Sequence, residues 1–247
     1  MKIRTYKEVI TLVILETENL TKIYGDMIVL NNINLKIENN RIIGLLGPNG
    51  SGKTTLIKLI NELITPTTGS IKIKGEKISL ETKQLVAYLP ERSYLDTTLK
   101  VSEAINMFSD FFLDFSSEDA KHILKIFEIP INKRLGQLSK GQKGKVMLAL
   151  ILARKVDLYI LDEPLDGIDP ASRDFIMKVI KKYIKPNSTV MISTHQISDI
   201  EDQLDYAILL KKGEVIAYDS IANLNNQHQM TLGQYFKEVF KYDEEII

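Results

Sequence analysis

The stretch Gly47-Pro48-Asn49-Gly50-Ser51-Gly52-Lys53-Thr54 restricts this chain to few architectures. It fits the phosphate-binding pattern G-x-x-x-x-G-K-[ST] at every fixed position. That pattern works only where a buried strand delivers the loop and a helix leaves it. Both neighbours are present: Arg41-Ile42-Ile43-Gly44-Leu45-Leu46 reads as the strand, and Thr55-Leu56-Ile57-Lys58-Leu59-Ile60 as the helix. The glycines let the backbone curl until its N–H groups converge on phosphate oxygens. Lys53 adds a point charge, and the Thr54 hydroxyl is placed to ligate a Mg²⁺ that bridges the phosphates. The helix end at Thr55 turns its positive dipole toward the same anion. The loop therefore predicts binding of a nucleoside triphosphate.

The other elements read as an α/β chain. Strands are expected at residues 13–18, at 20–25 running into a turn, and at 33–37, 71–75 and 85–89. They resume at 157–161, 190–193, 206–210 and 214–217, with helices between them, which favours a mostly parallel sheet of crossover units. Residues 90–137 change character. Helices are expected at 101–112 and 118–128, the second capped by Ser116 and Asp119 and ended by Pro130. Another helix is expected at 143–153 and a short closing helix at 232–240. The expected division is an N-terminal extension 1–12, a nucleotide-binding core from 13–89 and 151–222, a helical insertion 90–150, and a tail 223–247.

Composition narrows the partners. Thirty-two basic residues balance 32 acidic ones, so the basic excess of a nucleic-acid footprint is missing and no nucleic-acid partner is expected. There is no cysteine, which excludes disulfides and thiolate metal sites. Lys2, Arg4 and Lys7 precede an apolar run at 9–15, but Glu16 to Asn19 follow without a small-residue cleavage site, so no leader is expected. The run is too short to span a bilayer, as is the apolar stretch 146–153.

Three further stretches carry chemistry. Leu158-Tyr159-Ile160-Leu161 is an apolar strand ending in Asp162 and Glu163. At the carboxyl end of a parallel strand, Asp162 can hold Mg²⁺ through water and Glu163 can take a proton from an attacking water. Leu138-Ser139-Lys140-Gly141-Gln142 stands just before a helix, where Ser139 is a cap and a possible anion contact. Ser193-Thr194-His195 ends the next strand; a lone histidine there reads as a capped strand end, and in the company of the other motifs it sits where a γ-phosphate sensor is expected.

Taken in this order, the motifs resemble the ATPase subunit of ATP-binding-cassette transporters over about residues 13–219. The match comprises the Walker A loop Gly47 to Thr54, the signature Leu138 to Gln142, the Walker B strand ending in Asp162 with Glu163, the D-loop Gly167-Ile168-Asp169, and the switch His195. The resemblance implies a P-loop NTPase core with an antiparallel β lobe and an inserted helical subdomain. It also implies that Tyr24, in Thr21-Lys22-Ile23-Tyr24-Gly25, stacks on adenine. Glu91 stands where glutamine is usual and would accept from Mg²⁺-bound water. Lys140 replaces the usual glycine of the signature, and Leu165-Asp166 replace small or hydroxylated D-loop residues.

The activity implied is ATP hydrolysis with Lys53, Glu163 and His195 as catalytic residues. It would occur in a head-to-tail dimer in which Ser139, Gly141, Gln142 and Asp169 of one subunit complete the site of the other. The implied partners are a second copy or a paralogous ATPase subunit, and an integral membrane permease at whose cytoplasmic face the chain would sit. The wording Tyr88-Leu89-Pro90-Glu91 and the tail Leu232-Gly233-Gln234-Tyr235-Phe236 resemble bacterial drug and peptide exporters. The alternative reading is a soluble cassette ATPase acting on ribosomes or DNA.

Overall fold

The computed structural model describes residues 12–197 and 200–241. The expected extension lies outside them apart from Leu12, as do residues 242–247 of the tail.

The chain opens with a long hairpin, β1 (Val13–Tyr24) and β2 (Met27–Glu38), closed at Gly25 with φ +56°. It then enters the buried strand β3 (Ile42–Leu46), the phosphate loop and helix α1 (Lys53–Ile60). The strands β4 (Thr68–Ile73) and β5 (Glu76–Lys77) return to the hairpin. A capped turn, α2 (Leu80–Lys83), leads into β6 (Val86–Leu89). The insertion follows as α3 (Val101–Phe111), α4 (Ser117–Ile126) and α5 (Lys140–Leu152). Last come β7 (Leu158–Asp162), α6 (Pro170–Tyr183), β8 (Thr189–Thr194), β9 (Tyr206–Lys211), β10 (Glu214–Ser220), α7 (Ile221–His228) and α8 (Leu232–Val239).

Two sheets result. One is antiparallel, ordered β2-β1-β4-β5; the other is ordered β10-β9-β3-β8-β7-β6, parallel throughout except for its edge strand β10. Alternation along the central strands splits the apolar interior in two. Ile43, Leu45, Leu158, Ile160, Met191, Ile208 and Leu210 face α1 and the antiparallel sheet. Leu46, Tyr159, Leu161, Val190, Ile192, Ala207 and Leu209 face the helical layer formed by the insertion, α6 and the C-terminal helices. The expected α/β class, with its parallel core, β lobe and inserted helices, is what the chain adopts.

Several element boundaries differ from expectation: the strands expected at 13–18 and 20–25 form the single strand β1, and three further cases have a local cause. β2 starts at Met27, six residues before the alternating stretch begins, because its first half is exposed and rich in asparagine, a poor strand former. The hairpin absorbs this with a register shift between Thr17 and Leu20, where Asn19 has φ +49° and its amide donates to the Asn34 side chain at 2.8 Å. α4 ends at Ile126, with Phe127 as its cap, before Pro130 acts, since Glu128 adopts φ +57° and closes a left-handed turn. α5 begins at Lys140, not at residue 143, because Ser139 already caps it.

Candidate nucleotide site

The carboxyl ends of β3, β7 and β8 lie side by side, with Leu45 and Asp162 both registered on Ser193. In an open parallel sheet this is where ligands bind. Gly47 begins the loop in a place no side chain fits: a Cβ there would lie 2.4 Å from the Leu210 carbonyl oxygen. Gly52 takes φ +109° and leads directly into α1, whose first residue is Lys53. Lys53 is buried, and its Nζ donates to the carbonyl oxygens of Gly47 at 2.7 Å and Pro48 at 3.3 Å. Burial pulls its pKa down from the ordinary lysine value, against the opposing charges of Glu163, Asp162 and Glu91.

A cavity of about 470 Å³ opens over this loop. Asn49, Gly50, Gly52, Lys53, Thr54 and Thr55 form its floor, and Glu91, Glu163, Asp166 and His195 form its far wall. Ser51 is buried beneath the loop, its amide donating to the Pro48 carbonyl at 3.2 Å. Val29, from the half of β2 that the alternating pattern missed, closes one side. Tyr24 stands exposed at the hairpin tip, outside the cavity lining, with the Lys22 ammonium 4.8 Å from its ring centre.

The acid pair at the end of β7 is held by β8. Ser193 Oγ donates to Asp162 Oδ1 and accepts from the Glu163 amide at 3.0 Å; the same amide reaches the Ser193 carbonyl at 3.2 Å. This holds Glu163 at φ +49°, a left-handed conformation that costs a side-chain-bearing residue energy. Its Oε1 lies 3.0 Å from His195 Nδ1. Asp162 is only 2% exposed, and its Oδ2 is buried with no partner. Burial is the main cause raising its carboxyl above the ordinary aspartate value, and nearby Glu163 and Glu91 add to it.

These features fit a divalent cation. An unpartnered buried carboxylate oxygen beside further acids is stabilised by positive charge. No cluster of three His, Cys, Asp or Glu side chains that could hold a metal occurs among the described residues. Thr54, Asp162 and Glu91 would therefore hold Mg²⁺ together with phosphate oxygens, the usual economy of this ion.

The signature residues lie elsewhere. Ser139 and Gln142 form a reciprocal cap: Ser139 Oγ accepts from the Gln142 amide at 3.2 Å, and Gln142 Oε1 accepts from the Ser139 amide at 3.1 Å. Gly141 packs on the Gly167 carbonyl, which a Cβ would approach to 3.1 Å. Asp169 caps α6 by accepting from the Ser172 amide at 3.0 Å, and that bond holds its carboxyl below the ordinary range. None of Ser139, Gly141, Gln142 and Asp169 lines the 470 Å³ cavity of its own chain.

A glycine-bounded loop at the end of a parallel strand, a buried lysine and an orphaned carboxylate define a P-loop nucleotide-binding protein. Comparison with known proteins places it more narrowly. Residues 30–166 match the ABC transporter family model. The chain is 33% identical to the lipopolysaccharide export system ATP-binding protein LptB of Haemophilus influenzae, covering 91% of this chain and 99% of that one. It is 31% identical to the Nod factor export ATP-binding protein I of Cupriavidus metallidurans, over 83% of this chain and 70% of that one. A solved dimeric ATP-binding cassette in a post-hydrolysis state, bound to ADP and Pi, superimposes with a TM-score of 0.74 at 26% identity. It covers 83% of this chain and 98% of that one. The chain belongs to the ABC transporter family, as an ATP-binding cassette.

Proposed function

We propose that the chain hydrolyses ATP in a head-to-tail pair of cassettes and that this drives a membrane exporter. The observation that carries the hydrolytic part is the 3.0 Å contact between Glu163 and His195 on the wall of the phosphate-loop cavity. The loop amides and Lys53 would hold the β- and γ-phosphates, and bound Mg²⁺ would supply positive charge against them. Glu163 would orient the attacking water and take its proton, while His195 fixes the carboxylate's direction. Lys53 would then offset charge as it develops on the phosphate oxygens.

The pairing is supported by the signature. Ser139 and Gly141 open a helix yet do not line the phosphate-loop cavity of their own chain, which suits an anion held by another copy. The dimeric cassette among the similar structures supports pairing of two copies.

Export through a permease is supported by the export systems named among the relatives and by one surface. Tyr94, Leu99, Met107, Phe111 and Phe112 line an apolar hollow of about 400 Å³ beside α3, with Tyr94 and Phe111 exposed. No described helix is long and apolar enough to cross a membrane. A separate membrane subunit docked here would place the chain on the cytoplasmic face. The helical insertion 90–150 would carry motion from that contact to Glu91.

The test is Glu163→Gln. We expect ATP binding to persist and turnover to fall by ~10³-fold, the scale of removing a general base. Turnover within a few-fold of wild type overturns the hydrolytic assignment. Co-purification of a polytopic protein with the detergent-extracted complex supports the export reading, and recovery with ribosomes overturns it.

A further inference from the structure

Two of the departures from the family pattern, Lys140 and Asp166, meet in a single contact. Lys140, the first residue of α5, places its Nζ 2.7 Å from Asp166 Oδ2 in the loop that follows Glu163. The side chains are 78% and 38% exposed, and an ion pair so open to water contributes little to folding. A lysine in the first turn of a helix also opposes the helix dipole, and α5 has no acid there to compensate. Neither helix formation nor stability accounts for the pair.

Its position relative to the hydrolytic residues does. Asp166 lines the same cavity as Glu163 and His195. A tight turn links the two acids, with the Asp166 amide donating to the Glu163 carbonyl at 3.1 Å. Asp166 is held below the ordinary carboxyl range first by its hydrogen bond from Lys140, and the charge of His195 on the same wall lowers it further. Two carboxylates thus line one cavity with a single imidazole. His195 Nδ1 carries at most one hydrogen and serves one acceptor at a time; in the structure that acceptor is Glu163. Lys140, with three N–H donors and no acceptor, satisfies Asp166 instead.

We propose that Lys140 is a positioning residue: it holds Asp166 on the α5 side of the cavity and so reserves His195 for Glu163. The proposal rests on the roles given above to Glu163 and His195. Without Lys140, Asp166 turns inward and competes for the imidazole, and Glu163 loses the contact that orients it toward water. Asp166 on this view is a liability that Lys140 manages, so removing both should restore the site.

That dependence gives the test. Steady-state ATP turnover is measured on the full chain for wild type, Lys140→Met, Asp166→Asn, the double variant and Lys140→Arg. We expect Lys140→Met to lower kcat by ~10-fold with KM for ATP within about twofold, the size of effect that misorienting one catalytic contact produces. Asp166→Asn alone and Lys140→Arg should stay near wild type, and Asp166→Asn should rescue Lys140→Met. A double variant as slow as Lys140→Met shows that the lysine acts on its own and overturns the proposal. So does Asp166→Asn as slow as Lys140→Met, which would make the pair a plain brace, or Lys140→Met at full rate. A wild-type chain that binds ATP without turning it over overturns the hydrolytic reading and this inference together. Wild-type turnover without rescue overturns this inference alone.

Discussion

Ser193 joins two strands and two acids through one hydroxyl, donating to Asp162 and accepting from the Glu163 amide. Replacing it by alanine should leave the buried Asp162 carboxylate without a partner and the Glu163 amide with only the Ser193 carbonyl. We expect Ser193→Ala to cost ~1–3 kcal/mol in stability, the penalty for unsatisfied buried groups, measurable by urea denaturation. Asp162 itself makes the opposite trade. Its folded-state pKa is raised, so its favourable contribution is complete below the ordinary carboxylate range and is lost as pH rises through the raised value. Asp162→Asn should therefore melt higher than wild type near neutral pH in the absence of nucleotide, by ~1 kcal/mol, and the gap should close as pH falls toward ~4. The same variant should lose the extra stability that MgATP gives wild type. At this scale fixed spacing pointed to Lys53 and Thr54, the end of an apolar strand to Asp162 and Glu163, and the company of the other motifs to His195. It was silent on Ser193, whose role depends on which strand lies beside β7, and on Val29, which enters through the register of a hairpin.

Helix ends show why element boundaries were less legible than element types. The apolar face of α4 was readable, as was its start, where Ser116 Oγ accepts from the Asp119 amide at 3.1 Å. Its end was not, because the break is a backbone event at Glu128. The Ile129 amide donates to the Leu124 carbonyl at 2.9 Å and the Glu128 amide to the Lys125 carbonyl at 3.1 Å, with Ile129 and Leu124 both buried. These are the bonds of a Schellman motif, whose left-handed position suits glycine. Glu128→Gly should stabilise the protein by ~0.5–1 kcal/mol in thermal or chemical melts, because glycine adopts φ +57° without the Cβ penalty. A loss of stability would mean that the glutamate side chain matters more than its backbone. α5 offers the converse case: the residues that make Ser139 look like a ligand contact are the same ones that make it a helix cap, and spacing alone does not separate the two roles.

On the scale of the whole molecule, the exposed aromatic hollow beside α3 should matter to assembly and not to chemistry. Phe111→Asp should abolish recovery of the chain with a membrane subunit in pull-downs while leaving ATP affinity at the wild-type value; loss of ATP affinity would show that the substitution disturbs the core. The mostly parallel character of the large sheet was legible from its crossover units, whereas this hollow was not, since it depends on how the loop 94–99 closes on α3. The division of the interior also has a consequence for heredity. Along β7, Ile160 belongs to the layer behind the phosphate loop and its immediate neighbour Leu161 to the layer behind the helices. Changes one codon apart are therefore felt on opposite sides of a wall. Under the proposed function, a lineage could retune the helical layer through one set of positions and leave the layer behind the phosphate loop, written in the alternate set, in place.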